Sequence, residues 1–454
     1  MSRARSRFPG MSAGERIYSA VLHRDKRAEQ ELDPEVRRNL APNGLRLVAA
    51  NALQSSGDQI VNASTVLPWM FNALGVPVAL TGLLVPIRES LSMLPQAFLT
   101  PLIVRVRFRK WVFISGALVQ AASAGVIAGT AALGEGLVAG VVILVGLAAF
   151  ALGRCLCSIA SKDVQGRTIP KGERGQINGL ATTASGVVAI TLGLGIRILG
   201  GEDLAAEQLA WLLAAGAALW VLVAAVYVGI REPSEEPVGA GRVEKDVGPG
   251  PNWFAETIAL LRGDRDFRRF VGVRSLLLVS SLAPPFVVAL SIASGAGGLS
   301  GLGGFILASG VAALIGGRIF GRWADRSSRN VMTFGAAAAS AIIVALVVLV
   351  ALPVFAGASL AGNLVFVAAY FLLTLTHTGV RVGRKTYVID MAEGDQRTTY
   401  VAVSNTAMGF VLLIVGAISA LLATLALQWA LLFLAAMGAV GVVASRRLPD
   451  VSRR

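Results

Sequence analysis

Residues 331–354, from Val331 to Val354, read VMTFGAAAASAIIVALVVLVALPV without one charged side chain. At 1.5 Å per residue, a helix over that stretch is about 36 Å long. The hydrocarbon core of a bilayer is roughly 30 Å thick. Before the stretch stand Arg322, Arg326 and Arg329; after it, residues 355–359 carry no Lys or Arg. Working outward, the same unit recurs: basic loop, apolar run, non-basic loop, apolar run. The expected spans are 46–70, 77–103, 111–132, 137–160, 177–199, 207–230, 269–292, 299–321, 331–354, 360–384, 399–423 and 427–445. Loops 71–76, 133–136, 200–206, 293–298, 355–359 and 424–426 hold no Lys or Arg, although Glu135, Glu202 and Asp203 lie in them. The opposite loops hold Arg105, Arg107, Arg109 and Lys110, then Lys162, Arg167, Lys171 and Arg174, and later Lys385 and Arg397. Basic loops stay on the cytoplasmic side of a membrane, so both termini are expected there, in a plasma (inner) membrane.

Composition agrees. Of 454 residues, 55% are hydrophobic and 15% charged, with a mean hydropathy of +0.68. A soluble protein carries about a quarter charged residues. Lipid must therefore replace water around much of this chain. The net charge of +14 does not point to nucleic acid, because the basic residues sit in short loops between apolar runs. Cys155 and Cys157, two positions apart on one helix, face different directions and cannot bridge. They give no metal-site spacing, and no cofactor is expected. Met1 to Asn43 has no apolar stretch of signal-peptide type, while Ile17, Tyr18, Val21 and Leu22 suit a short amphipathic helix on the inner leaflet.

The expected organisation is a cytoplasmic tail (1–45), a first six-helix bundle (46–230), a cytoplasmic linker (231–268), a second bundle (269–445) and a short tail (446–454). The linker is rich in Pro, Gly and Glu, from Glu232-Pro233 to Gly250-Pro251, with a short helix expected from Trp253 to Leu261. A shift of 223 places Lys162 on Lys385, Arg174 on Arg397, Thr183 on Thr406, Gly186 on Gly409 and Gly193 on Gly416. A shift of 220 places Arg109 on Arg329. Two parallel halves related by an axis along the membrane normal put a solute site between them near midplane.

The segment Gly321-Arg322-Trp323-Ala324-Asp325-Arg326-Ser327-Ser328-Arg329 resembles the G-x-x-x-D-R-x-x-R signature of the major facilitator superfamily. Pro170-Lys171-Gly172-Glu173-Arg174-Gly175 is similar to that family's P-x-x-x-R-G turn. The resemblance implies an all-α polytopic fold of twelve transmembrane helices in two pseudo-symmetric six-helix bundles. It implies that the first, fourth, seventh and tenth helices line a central path. It also implies a gate built on Gly321, Asp325, Arg326 and Arg329, with Asp325 capping a helix of the other half near Gln176 to Asn178 and pairing with Arg381 or Arg384. The first half departs from the signature, with Pro101 for the Gly and Arg105 for the Asp, so that latch is expected on one side only. The fifth span reads Gly193-Leu194-Gly195, without the Gly-Pro pair of the family's antiporters.

Polar groups inside the spans mark the expected solute path. Asn51, Ser55, Asp58, Asn62 and Thr65 form one stripe at helical spacing. Asp58 lies 12 residues beyond Arg46, about 18 Å along a helix and thus near midplane. A carboxylate there suits a proton carrier, or equally a fixed ion pair with Arg88 or Arg154. Arg88 and Glu89, as helix neighbours, point about 100° apart, so one is expected to line the path and the other to pair across a helix contact. Tyr370, Thr374, His377, Arg381 and Arg384 form a second stripe. His377 and Arg154, related by the same shift of 223, are expected to face each other with Asp58 deeper. His titrates near neutral pH. Arg384 reads as an anchor snorkelling to the surface. Pro284-Pro285 is expected to break or kink the seventh span, and the glycines from Gly295 to Gly304 suit a pliable gate.

These features fit a secondary transporter of a small organic solute. The expected solute is anionic or amphipathic, with the proton as candidate coupling ion. A transporter-like membrane scaffold without transport activity is the alternative. No P-loop, H-E-x-x-H or nucleophile elbow suggests an enzyme, and the only His residues are His23 and His377.

Overall fold

The computed structural model describes residues 13–21, 29–30, 32–96, 99, 103, 106–170, 174–199, 205–233, 253–297, 301–391 and 396–451. Helices dominate, and no strand occurs among the described residues. A short helix α1 (Ala13–Val21) precedes α2 (Pro34–Ile60), α3 (Val66–Ala73), α4 (Val78–Met93), α5 (Lys110–Leu133), α6 (Gly136–Thr168), α7 (Arg174–Leu199) and α8 (Ala206–Val228). The remainder holds α9 (Trp253–Gly263), α10 (Arg265–Leu276), α11 (Val279–Ala293), α12 (Leu302–Ala351), α13 (Leu360–Met391), α14 (Gln396–Leu425) and α15 (Leu427–Ser445). Among the described residues, eight segments are long and apolar enough to cross a membrane, and Gly186–Ile196 and Leu302–Gly316 are shorter apolar stretches. Helices occupy all twelve expected positions, with α12 divided by non-helical backbone at Ser327.

Two spans are broken. The first, expected as one run, stops at Ile60 and resumes at Val66. Between them Asn62 Oδ1 accepts a 2.8 Å bond from the Ser64 N–H. That local bond competes with the helix ladder, as Asn side chains do at turns. The seventh span divides into α10 and α11 at Leu277–Leu278. Pro284 and Pro285 lie inside α11, so the interruption falls more than a turn before them. The N–H groups they lack would have met the carbonyls of Ser280 and Ser281, in the first turn of the new helix.

Glycines set how closely the helices approach. A Cβ on Gly153 of α6 would lie 2.7 Å from the Gly116 carbonyl oxygen of α5. The two halves meet in the same way. A Cβ on Gly416 of α14 would stand 2.1 Å from Pro86 Cγ of α4, and one on Gly193 of α7 would stand 2.7 Å from Leu307 Cγ of α12. These close contacts give dispersion attraction where lipid offers no hydrophobic drive between helices.

At the basic end of each half, a carboxylate just past the last helix returns to the start of the third. Glu232 accepts bonds from the N–H groups of Lys110 (2.6 Å) and Arg109 (3.1 Å), capping α5. Arg109 also pairs with Asp163 at 2.9 Å. Burial pushes the Glu232 carboxyl above its ordinary range, against the pull of those two N–H groups. In the second half, Asp450 accepts from Ser327 Oγ at 2.9 Å and pairs with Arg329 at 3.6 Å. Arg329, expected in the gate, is thus held by the C-terminal segment of its own half, and Arg326 is exposed. The side chains of Gly321, Asp325, Gln176 and Asn178 lie outside the described residues. On α1, Tyr18 is fully buried and packs against Gly44, so that ring faces protein and not the leaflet.

Gly153→Ala is expected to lower the unfolding midpoint in detergent, by overpacking worth about 1–3 kcal/mol. Gly166→Ala, on the same helix with open space around its Cα, is expected to be neutral or stabilising by up to about 1 kcal/mol. Equal losses in both would contradict the packing account.

Candidate functional site

A cavity of about 390 Å³ opens between the halves. Its walls come from α2, the turn after it, α4 and α6 on one side, and from α11, α12, α13 and α14 on the other. The broken first span supplies Ser55, Asp58 and Asn62, with Asn62 at the break itself. The break takes the lower end of the expected stripe off its helical register. Thr65 is buried instead.

Asp58 is the centre of the charge arrangement. Arg88 of α4 donates from Nη2 to Asp58 Oδ1 at 2.9 Å. Arg154 of α6 donates from Nη1 to both oxygens of the same carboxylate. One carboxylate therefore holds two guanidinium groups from two other helices. The site is partly open to the cavity: side-chain exposures are 12% for Arg88, 19% for Asp58 and 32% for Arg154. The pairing with both arginines is the ion pair that the sequence offered beside the proton-carrier reading; the long Arg side chain lets groups expected at different depths meet.

Arg88 and Glu89 both line the cavity, although neighbours on a helix. The space is wide enough for two long side chains 100° apart to reach it. Glu89 forms no ion pair among the described residues. On α13, Thr374, His377, Arg381 and Arg384 share one wall. His377 Nδ1 lies 3.4 Å from Ser280 Oγ, across the cavity end of α11. Arg384 also lines the cavity and does not snorkel. The helix runs on to Met391, about two turns past the expected end of the span at 384, so Arg384 is not at a helix terminus.

Two features went unread in the sequence. Ser280 and Ser281 join the wall because the helix restarts just before them. Arg274 lies inside the expected seventh span and is buried, bonding Ser404 Oγ at 2.6 Å and Asn405 Oδ1 at 2.9 Å. An Arg within an apolar run was the available signal. Cys155 and Cys157 are buried free thiols.

The profile of the Major Facilitator Superfamily matches residues 47–362. The chain belongs to that superfamily. No curated protein matches the sequence. Solved members of similar fold include a D-xylose-proton symporter, with a TM-score of 0.66 and 11% identity over 90% of this chain and 98% of that one. The nucleoside transporter NupG superposes with a TM-score of 0.65 and 13% identity, over 89% of this chain and 99% of that one. A peptide transporter POT in complex with sulfate gives 0.65 and 13%, over 98% and 99%. At 11–13% identity these likenesses are of fold.

Because one carboxylate serves two guanidinium groups, the three charges are not equivalent. Asp58→Ala strands both cations and is expected to destabilise most, towards the 3–5 kcal/mol seen when buried pairs are broken. Arg88→Gln and Arg154→Gln each leave a balanced pair and are expected to cost less. Unfolding midpoints of the three variants in one detergent test this, and an Arg variant less stable than Asp58→Ala would contradict it.

Proposed function

We propose that this superfamily member is a secondary active transporter of a small organic solute, working by alternating access. Its basic loops and both termini face the cytoplasm. The observation that carries the reading is the shared Asp58, which ties α4 and α6 to α2 in the wall of the cavity between the halves. Such a group responds to either of two events. A proton delivered to Asp58 releases Arg88 and Arg154, and an arriving solute competes for the same guanidinium groups. Either event changes what the first-half helices hold and so biases one packing of the halves over another. Asn62, Arg88, Glu89, Arg154, His377 and Arg381 line the path with Asp58. Gly321, Asp325, Arg326 and Arg329 form the cytoplasmic gate. The fold is that of a D-xylose-proton symporter, which supports proton coupling as the mode of energisation.

Asp58→Asn keeps the shape of the side chain and removes its charge. In proteoliposomes it is expected to retain solute exchange at equal pH while losing accumulation driven by a pH gradient. Gradient-driven accumulation at the wild-type level would remove Asp58 from coupling. Unimpaired cellular function in both Asp58→Asn and Arg154→Ala would favour a scaffold role.

A further inference from the structure

The charges around the cavity do not balance. Four guanidinium groups line it, those of Arg88, Arg154, Arg381 and Arg384, against the carboxylates of Asp58 and Glu89. Asp58 is committed to Arg88 and Arg154. Arg381 and Arg384 form no ion pair among the described residues; Glu89 is a carboxylate whose field reaches both, and the side chain of Asp325 lies outside the described residues. The excess grows towards the basic end. Lys385 stands within electrostatic reach of Arg381, Arg384, Lys162 and Arg274. Among the described residues, Arg274 bonds the neutral Ser404 and Asn405. Arg381 and Lys385 are exposed and Arg384 is half-buried; like charges gathered there repel one another, and a cation at membrane depth without a counter-charge is costly.

Anions relieve both costs. We infer that the transported solute is a small organic dianion, a dicarboxylate or a phosphate monoester, bound by Arg381 and Arg384. This inference rests on the transporter reading above and names its substrate class. Planar guanidinium groups match carboxylate and phosphate oxygens in paired hydrogen bonds. Ser280, Ser281 and Thr374 on the facing and adjoining walls add neutral donors. A cavity of about 390 Å³ suits a small molecule. Among the described residues the lining holds no Phe or Trp and one Tyr, the buried Tyr370, so the walls favour a compact polar anion over an amphipathic or stacked one.

The basic end of the cavity, from Lys162 and Lys385 inwards, is then an approach for the same anions. Clustered charge of one sign raises the local concentration of its counter-ion.

The test is a thermal-shift titration of the full chain in phosphatidylcholine nanodiscs at fixed ionic strength. The probes are succinate, glycerol 3-phosphate, lactate, xylose and choline. The dianions are expected to raise the unfolding midpoint, lactate less, xylose and choline not at all. Arg381→Gln and Arg384→Gln are each expected to weaken the dianion effect by about tenfold or more, as truncating one partner of a charge pair does. Arg381→Lys, which keeps the charge, is expected to recover part of it and so separates binding from misfolding. Stabilisation by phosphatidylglycerol nanodiscs alone, dependent on Arg381 and Arg384, would assign the site to a lipid headgroup and overturn the inference. Binding and proteoliposome uptake of xylose or choline, with no dianion effect, would overturn the substrate class and leave the transporter reading intact. No binding or uptake of any probe would overturn both.

Discussion

An ionised group in a membrane interior must find its counter-charge inside the protein, because lipid supplies none. Asp58 meets that constraint for two cations at once, Arg88 and Arg154. The arrangement needs three helices at fixed separation. Between α6 and α4, Gly140 allows a close approach, since a Cβ there would stand 2.9 Å from Leu80 Cδ1. The break after Ile60 and the restart of α11 at Val279 then leave polar backbone and serine side chains beside the charges. Irregular backbone at membrane depth is tolerated where it lines a polar cavity, and both breaks border this one.

The halves are related in their supports as well as in their helices. Glu232 and Asp450 each follow a sixth helix, and each returns to the start of a third. They differ in strength of engagement. Glu232 caps two backbone N–H groups directly, whereas Asp450 works through Ser327 and Arg329. The same architecture therefore carries two different fastenings at its basic end, and the signature-like Arg329 belongs to the looser one.

Much of this was legible beforehand, for physical reasons. A run such as Val331 to Val354 has no soluble alternative, and the basic loops fix its relation to the next run. Helical spacing put Asp58 on one polar stripe and His377 and Arg381 on a second, and all three line the cavity. Periodicity could not foresee the break, because it hinges on one side chain, Asn62, bonding the chain two residues on. Nor could it give the reach of long side chains, which lets Arg88 and Glu89 share a cavity and lets Asp58 hold Arg88 and Arg154 together where one partner or the other was expected. Arg274 was missed although the signal stood in the sequence, an Arg within an apolar run.

The central claim is that the cavity between the halves is reached from each side of the membrane in turn. Single cysteines at Thr374 or Ser281, which line that cavity, test it directly once the buried Cys155 and Cys157 are changed to Ser. An impermeant maleimide is applied from one side or the other of oriented vesicles, with and without a solute gradient. The account predicts labelling from both sides, in proportions that shift oppositely when the gradient is reversed. Labelling from one side only, under every gradient, would contradict it.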